Sequence, residues 1–479
     1  MKTSINSYGY KIKKKELTSQ QISKIKKDLL IIPYIYDPVK GGQNKDKKFN
    51  ILSESPSSLY VPRFYGIDNF GSPLSNKLPD GISAPNLEFK GELREIQKPI
   101  AEAYLSVARD RGGGLISLKC GGGKTVLALN IACSLKKKVI VVCHKSFLLT
   151  QWAERINQFI PNAKIGYIQG KTIDTEGKDI VLAMLQSLSQ KEYESDLFDQ
   201  FGLSIWDECH HLSAEVFSRA MRKIGTKYML GLSATLKRSD NTHHVFQWYI
   251  GSVVYEAPDE INNHIVETRL INYLSEDPKY CREQRIFNGQ ICRPKMVNQI
   301  CEYQPRTNMI LNYLYKYFNE GRTILILSER RNHLTEMMQT INKHYGSEVA
   351  GLYIGGIHPE LLEQTSKLRC ILGSYQMFSE GADIPSLNSV ILASPIGNCE
   401  QSIGRIMRKF TDGFHKIILD IIDVNIPCFE KQSKKRISLY KKKKYDLYED
   451  NSEEKIDYKT RKKKKEIELP LHKQECLFD

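Results

Sequence analysis

The sequence predicts an α/β fold: two parallel-sheet domains in tandem, a small N-terminal domain and a basic C-terminal tail. Three observations predict it. Short β-branched runs alternate with amphipathic stretches between residues 89 and 258, and the alternation returns between 306 and 450. A glycine-rich stretch, "LKCGGGKT" (Leu118–Thr125), sits where a strand gives way to a helix. Strict alternation requires parallel pairing, because each strand returns to the same edge through a helix lying on the sheet face.

Residues 1–88 are Lys-rich and then rich in Pro, Ser and Gly. Their "SLYVPRFYGIDNFGSP" (Ser58–Pro73) mixes aromatics with an arginine, and the region reads as a small strand-containing accessory domain. The run "VPRFYG" suits a nucleic-acid single strand and an ordinary sheet core equally. From Phe89 onward "GLISL", "KKVIVVCH", "KDIVLAML", "LSIWDE" and "KYMLGLSAT" read as buried strands, with "GKTVLALNIACSLK" and "SFLLTQWAERINQFI" as helices. Trp152 and Trp248 fall in amphipathic runs and are expected in the core, and His243–His244 in a polar turn. Residues 259–305 are expected to be a linker. The second series opens with the helix "QPRTNMILNYLYKYFNEG", followed by strands at "RTILILSE", "VAGLYIGG", "RCILGSY", "SVILASP" and "HKIILDIID". Past Pro427 the chain reads as a basic helix, and residues 451–479 as a flexible polycationic tail.

A hydrophobic fraction of 41% over 479 residues is enough to bury several cores. The net charge of +15 favours a polyanionic partner, because lysines and arginines release counterions from phosphate backbones. The eleven cysteines contain no C-x-x-C pair, the apolar runs are too short to span a bilayer, and the N-terminus shows no secretory leader. An intracellular, non-secreted protein without a membrane partner is the expectation.

The chemistry starts at the glycine-rich loop. Backbone N–H groups from Leu118 to Gly123, through Lys119, Cys120, Gly121 and Gly122, are placed to cradle phosphates at a helix N-terminus. Lys124 reaches the β- and γ-phosphates of ATP, and the Thr125 hydroxyl ligates Mg²⁺. Leu118 stands where the usual motif has its first glycine. "LSIWDECHHLS" (Leu203–Ser213) ends a buried strand, so Asp207 and Glu208 emerge at the edge where open α/β sheets bind ligands. Asp207 is the second Mg²⁺ ligand, and Glu208 orients and deprotonates the attacking water. A zinc site would want spaced ligands, and Cys209, His210 and His211 are consecutive.

"CGGGKT", "DECHH", "GLSATLKRSD" (Gly231–Asp240), "SEGADIP" (Ser379–Pro385) and "QSIGRIMR" (Gln401–Arg408) together resemble helicase superfamily 2 of DExH type, from about Leu93 to Asp423. The resemblance implies two RecA-like domains and ATP-driven work on nucleic acid. "ELREIQ" would place Arg94 and Gln97 near the adenine. His210 would couple the Mg²⁺ site to Gln401, and Ser233, Ala234 and Thr235 would link hydrolysis to strand movement. Gly381 and Asp383 would face the nucleotide cleft, and Arg405 and Arg408 would act as arginine fingers once the domains close. The tract after Ser233 is similar to the xeroderma pigmentosum B branch, in which Leu118 is at home, and nearest the transcript-release DNA helicases of poxviruses and other large DNA viruses. Arg238-Ser239-Asp240 lacks the glutamate that this branch carries. The branch implies DNA rather than RNA and a monomer working beside transcription or replication machinery, in the host cytoplasm or virion if viral. An RNA helicase, a non-hydrolysing nucleic-acid clamp and an ATPase acting on proteins are the rival readings.

Overall fold

The structure, a computed structural model, describes residues 2–34, 36–37, 42–43, 47–118, 122–194, 196–208, 214–234, 240–258, 266–287, 289–380, 384–404 and 413–456. It divides into two compact units, Met1–Pro258 and Asp259–Asp479.

In the first unit, strands β1 (Thr3–Asn6), β2 (Gly9–Lys13) and β3 (Ser58–Val61) form a small sheet with two short edge strands. Helix α1 (Ser19–Asp28) starts at a capping box, in which Gln21 N–H donates to the Thr18 hydroxyl at 3.2 Å and Thr18 N–H to the Gln21 amide oxygen at 2.8 Å. Helix α2 (Arg63–Phe70) follows β3 directly. The main sheet contains β4 (Gly113–Ser117), β5 (Val139–Cys143), β6 (Ile165–Gln169), β7 (Ile180–Met184), β8 (Leu203–Trp206), β9 (Tyr228–Ser233) and β10 (Val253–Glu256). Their order is β6-β7-β5-β8-β9-β4-β10; every pair is parallel except that of β6 with the short edge strand Thr172–Ile173. Helices α3 (Lys98–Arg111), α4 (Lys124–Leu135) and α5 (Ser146–Phe159) belong to this unit, as does α6 (His243–Ile250).

β5 is buried along its whole length, and its side chains part by parity. Val139, Val141 and Cys143 join one core, with Leu127 and Trp152; Ile140 and Val142 join the other, with Phe217 and Phe246. That second core also contains Ile5, Tyr10, Ile12, Leu59, Val61 and Phe64. These residues of the N-terminal region, expected as an accessory domain, therefore share a core with the main sheet. The physical reason lies at Arg63. Its guanidinium is buried and donates to the carbonyls of Lys227 and Arg111, both at 2.9 Å, while Tyr65 of α2 packs edge-on against Trp248 of α6 at 5.1 Å. In the described fold the "VPRFYG" arginine is a packing clamp, and its burial takes it away from any nucleic acid. His243–His244 open a helix, where a turn was expected, because the apolar residues of "HHVFQWYI" recur at helical spacing.

The second unit is a wholly parallel seven-stranded sheet. Its strands are β11 (Val266–Tyr273), β12 (Ile324–Ser328), β13 (Ala350–Tyr353), β14 (Cys370–Ser374), β15 (Ser389–Leu392), β16 (Lys416–Asp423) and β17 (Asp446–Glu449), in the order β13-β14-β12-β15-β16-β11-β17. Within 259–305, expected as a linker, the described residues 266–273 and 293–302 form a strand and a helix of this unit. Its β11 pairs with β16 over eight residues, and helix α7 (Arg293–Glu302) buries Met296, Val297 and Ile300 in the core. β11 reads as a connector because Glu267 and Arg269 interrupt its apolar run; they form an ion pair with each other. Helix α8 (Pro427–Lys442) is the expected basic helix. Of the expected tail, residues 451–456 fold back, with Ile456 N–H donating to the Leu447 carbonyl at 2.8 Å; 457–479 lie outside the described residues.

Candidate active site

Three adjacent strand ends build the site in the first unit. β8, β9 and β4 are neighbours, with Trp206 in register with Gly231 and Ser117 with Ser233. The phosphate-loop candidate leaves β4, the carboxylates leave β8, and Ser233 ends the strand between them. In a parallel sheet this C-terminal edge is where ligands sit.

Leu118 is buried in the core with Leu127, and its N–H donates to the Ser233 carbonyl at 3.0 Å. An aliphatic side chain here is a packing residue, which explains why a leucine replaces the usual glycine. Lys119, Cys120 and Gly121 lie outside the described residues. Gly123 has φ 77°, a left-handed conformation open to glycine at little cost, and it starts α4 with no side-chain cap on the helix. A helix N-terminus of this kind favours an anionic ligand. Gln97 braces the loop from beneath. Its buried amide donates to the carbonyls of Gly122 (2.9 Å) and Gly123 (3.3 Å) and accepts from Arg94 N–H at 3.0 Å. A Cβ on Gly123 would stand 2.3 Å from the Gln97 amide nitrogen, so the loop and the glutamine fit only with glycine there. Arg94 itself is exposed.

Lys124 is the first residue of α4, and its ammonium pairs with the Glu208 carboxylate, each side chain only 10% exposed. This contact joins residues 84 positions apart. Glu208 holds φ 46°, an uncommon conformation for a side chain of its size and a form of strain found at functional sites. Asp207 is buried; its N–H donates to the Val142 carbonyl at 3.0 Å, and its carboxylate accepts from the Trp152 indole N–H at 2.8 Å. Burial first, and the neighbouring Glu208 second, push the Asp207 carboxyl up to about 6, against the opposing pull of Lys124 and the indole. Thr125 is half-buried on the first turn of α4. Thr125 and Asp207 offer oxygen donors, the kind that suits Mg²⁺.

His210 and Thr235 lie outside the described residues, as do Arg238 and Ser239. Asp240 is described, and its carboxylate accepts from the Thr242 N–H (3.1 Å) and hydroxyl (2.8 Å) at the entry to α6. In the second unit Gln401 lines a cavity of ≈ 260 Å³ with Gln376, Ser379, Asn398 and Ser402. Gly381, Asp383, Arg405 and Arg408 lie outside the described residues.

Residues 90–238 match the family model described as type III restriction enzyme, res subunit. Over 452 residues, 93% of this chain, the sequence is 33% identical to a protein of Acanthamoeba polyphaga mimivirus named "Putative ATP-dependent RNA helicase", 86% of which is covered. The chain belongs to the superfamily 2 helicases. A "DNA 3'-5' translocase XPB2" of Sulfurisphaera tokodaii is 33% identical over 181 residues, 38% of this helicase and 39% of that protein. A fragment assigned to the HsdR subunit of a type I restriction enzyme from Vibrio vulnificus shares the fold, with TM-score 0.51 and 20% identity over 72% of this chain and 68% of its own. As a member of an ATP-dependent family, the helicase is an ATP hydrolase.

Two buried polar contacts, one in each unit, were missed in the sequence. Trp152 was expected only as core, and it also holds Asp207. Arg436 sits inside the lysine run of α8 and reads there as solvated charge. It is buried instead, gripping Asp420 of β16 through Nε (3.0 Å) and Nη2 (2.7 Å) and donating Nη1 to the Ile396 carbonyl at 2.6 Å, in the loop beside the Gln401 cavity. The only available signal was its helical spacing from Phe429 and Tyr440, which are also buried.

Proposed function

We propose that this helicase is an ATP-driven motor on DNA, acting in transcript release or repair, with Lys124, Thr125, Asp207 and Glu208 at its phosphoryl-transfer centre. The Lys124–Glu208 contact carries the proposal, because it brings the loop lysine to the strand-end carboxylate. Nucleotide phosphates compete with Glu208 for the Lys124 ammonium. The exchange moves the lysine onto the phosphates and releases the carboxylate to take a proton from water. Mg²⁺, when bound, neutralises charge on the terminal phosphates. Asp207 and the Thr125 hydroxyl are the residues to hold it. Arg405 and Arg408 are proposed as arginine fingers, a role worth about 10³–10⁵ in rate. Gln401, Gly381, Asp383, His210, Ser233, Ala234 and Thr235 keep the roles that the family resemblance implies.

The net charge of +15 supports a polyanionic partner, and the archaeal relative's name supports DNA. RNA is the second reading, favoured by the name of the mimivirus relative, which covers far more of the chain. The described cysteines are all free thiols, in keeping with a reducing compartment, and no helix among the described residues is long and apolar enough to cross a membrane. The deciding experiment compares ATP hydrolysis with double-stranded DNA, single-stranded DNA and RNA. Stimulation by DNA above RNA supports the reading, the reverse order moves it to RNA, and no stimulation by any of them removes the motor. Glu208→Gln should bind ATP and leave it uncleaved; a normal hydrolysis rate takes Glu208 out of the mechanism.

A further inference from the structure

In the second unit, Arg285 and Ile291 form an antiparallel bridge that closes a tight hairpin between β11 and α7. Phe287 stands at its tip, 110% exposed, beside Ile286 at 44%. The hairpin is held firmly for a surface feature. Ile286 N–H donates to the Gln290 carbonyl at 2.8 Å, Gly289 N–H to the Ile286 carbonyl at 2.9 Å, and Cys292 N–H to the Gln284 carbonyl at 2.6 Å. The Arg285 guanidinium donates to the Gly289 carbonyl at 2.6 Å, and Gly289 supplies the turn with φ 80°. The stem is tied to the body of the unit through the Gln284 amide, which donates to Gln299 of α7 at 2.7 Å.

The apolar residues of this hairpin divide sharply. Ile291 packs against the core, whereas Phe287 contributes nothing to it. The sequence around the hairpin carries exposed Lys279, Arg282 and Lys295 beside one exposed carboxylate, Glu276, while Glu283 is engaged by Arg285. An exposed aromatic ring on a stiff stem, in a stretch with more free cations than carboxylates, suits a base and its phosphates better than it suits an apolar protein surface. Stacking satisfies the ring, and the cations neutralise the backbone. Duplex bases already stack on each other, so the matching ligand is an unpaired strand.

We propose that this hairpin is a single-strand contact, in which Phe287 stacks on a nucleobase while Arg282 and Lys295 hold the adjoining phosphates. The proposal rests on the nucleic-acid reading above and adds to it a place where the strand is gripped. The stiff stem limits the conformational entropy lost on binding.

The test titrates wild type, Phe287→Ala and Phe287→Trp with oligothymidylate and oligouridylate, and measures ATP hydrolysis with and without each. Phe287→Ala should weaken single-strand binding by about 5- to 100-fold, the range expected for one base–aromatic stack, with basal hydrolysis and thermal midpoint unchanged. Phe287→Trp should keep the affinity, and its indole emission should be quenched by either oligonucleotide. Wild-type affinity in Phe287→Ala, or indole emission in Phe287→Trp that ignores saturating oligonucleotide, overturns the contact. If the oligonucleotides stimulate wild-type hydrolysis in that same experiment, the motor reading survives and the hairpin assignment alone falls. A wild type that binds neither strand overturns both.

Discussion

Trp152 and Asp207 show how one residue can serve packing and chemistry together. The indole is 1% exposed, so it fills core volume, and its single N–H is spent on the carboxylate that would hold the metal. Because burial raises the Asp207 pKa to about 6, its sign for activity and its sign for stability are opposite. A metal ligand must be ionised, so hydrolysis should fall as pH drops through about 6. The folded state binds the extra proton between the ordinary carboxylate range and about 6, so this group's penalty on folding is relieved over the same window. Trp152→Phe removes a hydrogen bond that favours the charged form and should move the acidic limb of the kcat/KM profile to higher pH. A profile that does not move would show that the indole is packing alone.

At the scale of elements, the junction of β4 and α4 is set by Gly123. Gly123→Ala meets both a left-handed backbone, costing about 1–2 kcal/mol, and the Gln97 amide nitrogen at 2.3 Å. Relief requires Gln97 to withdraw, which releases the carbonyls of Gly122 and Gly123 that it braces. ATP affinity should fall about tenfold or more in an equilibrium titration, while the main sheet still folds; an unchanged Kd would show that the loop does not depend on the brace. α2 makes the matching point for the N-terminal region. Arg63→Met leaves the carbonyls of Lys227 and Arg111 without their donor and should cost about 2–3 kcal/mol in chemical denaturation, with no loss of nucleic-acid affinity per folded molecule. A selective loss of nucleic-acid binding would restore "VPRFYG" as a contact surface.

At the scale of the whole molecule, the shared core predicts what happens when the chain is cut. Removing residues 1–88 strips Ile5, Tyr10, Leu59 and Phe64 from a cluster that includes Phe217 and Phe246, so the shortened chain should aggregate or melt without a cooperative transition. A soluble 89–479 fragment with full ATPase activity would contradict that. The charge acts at the same scale. If the net +15 reflects phosphate contact, the log of the DNA association constant should fall linearly with the log of salt concentration. A flat response would mark the lysines as a solvated surface.

The sequence by itself determined the α/β class and most strands of both sheets, and it singled out Lys124, Asp207 and Glu208 as candidates. Each of these depends on local pattern: apolar runs bounded by turns, or polar residues at a strand's end. Tertiary structure alone decided that Leu118 and Arg63 are packing residues, that Gln97 braces the glycine loop and Trp152 holds Asp207, that Arg436 is buried within a lysine run, and that β11 lies inside a sheet. The physical reason is common to all of them. Whether a residue faces water or core, and which partner it meets across tens or hundreds of positions, depends on how distant segments come together, and no window of neighbouring residues contains that information.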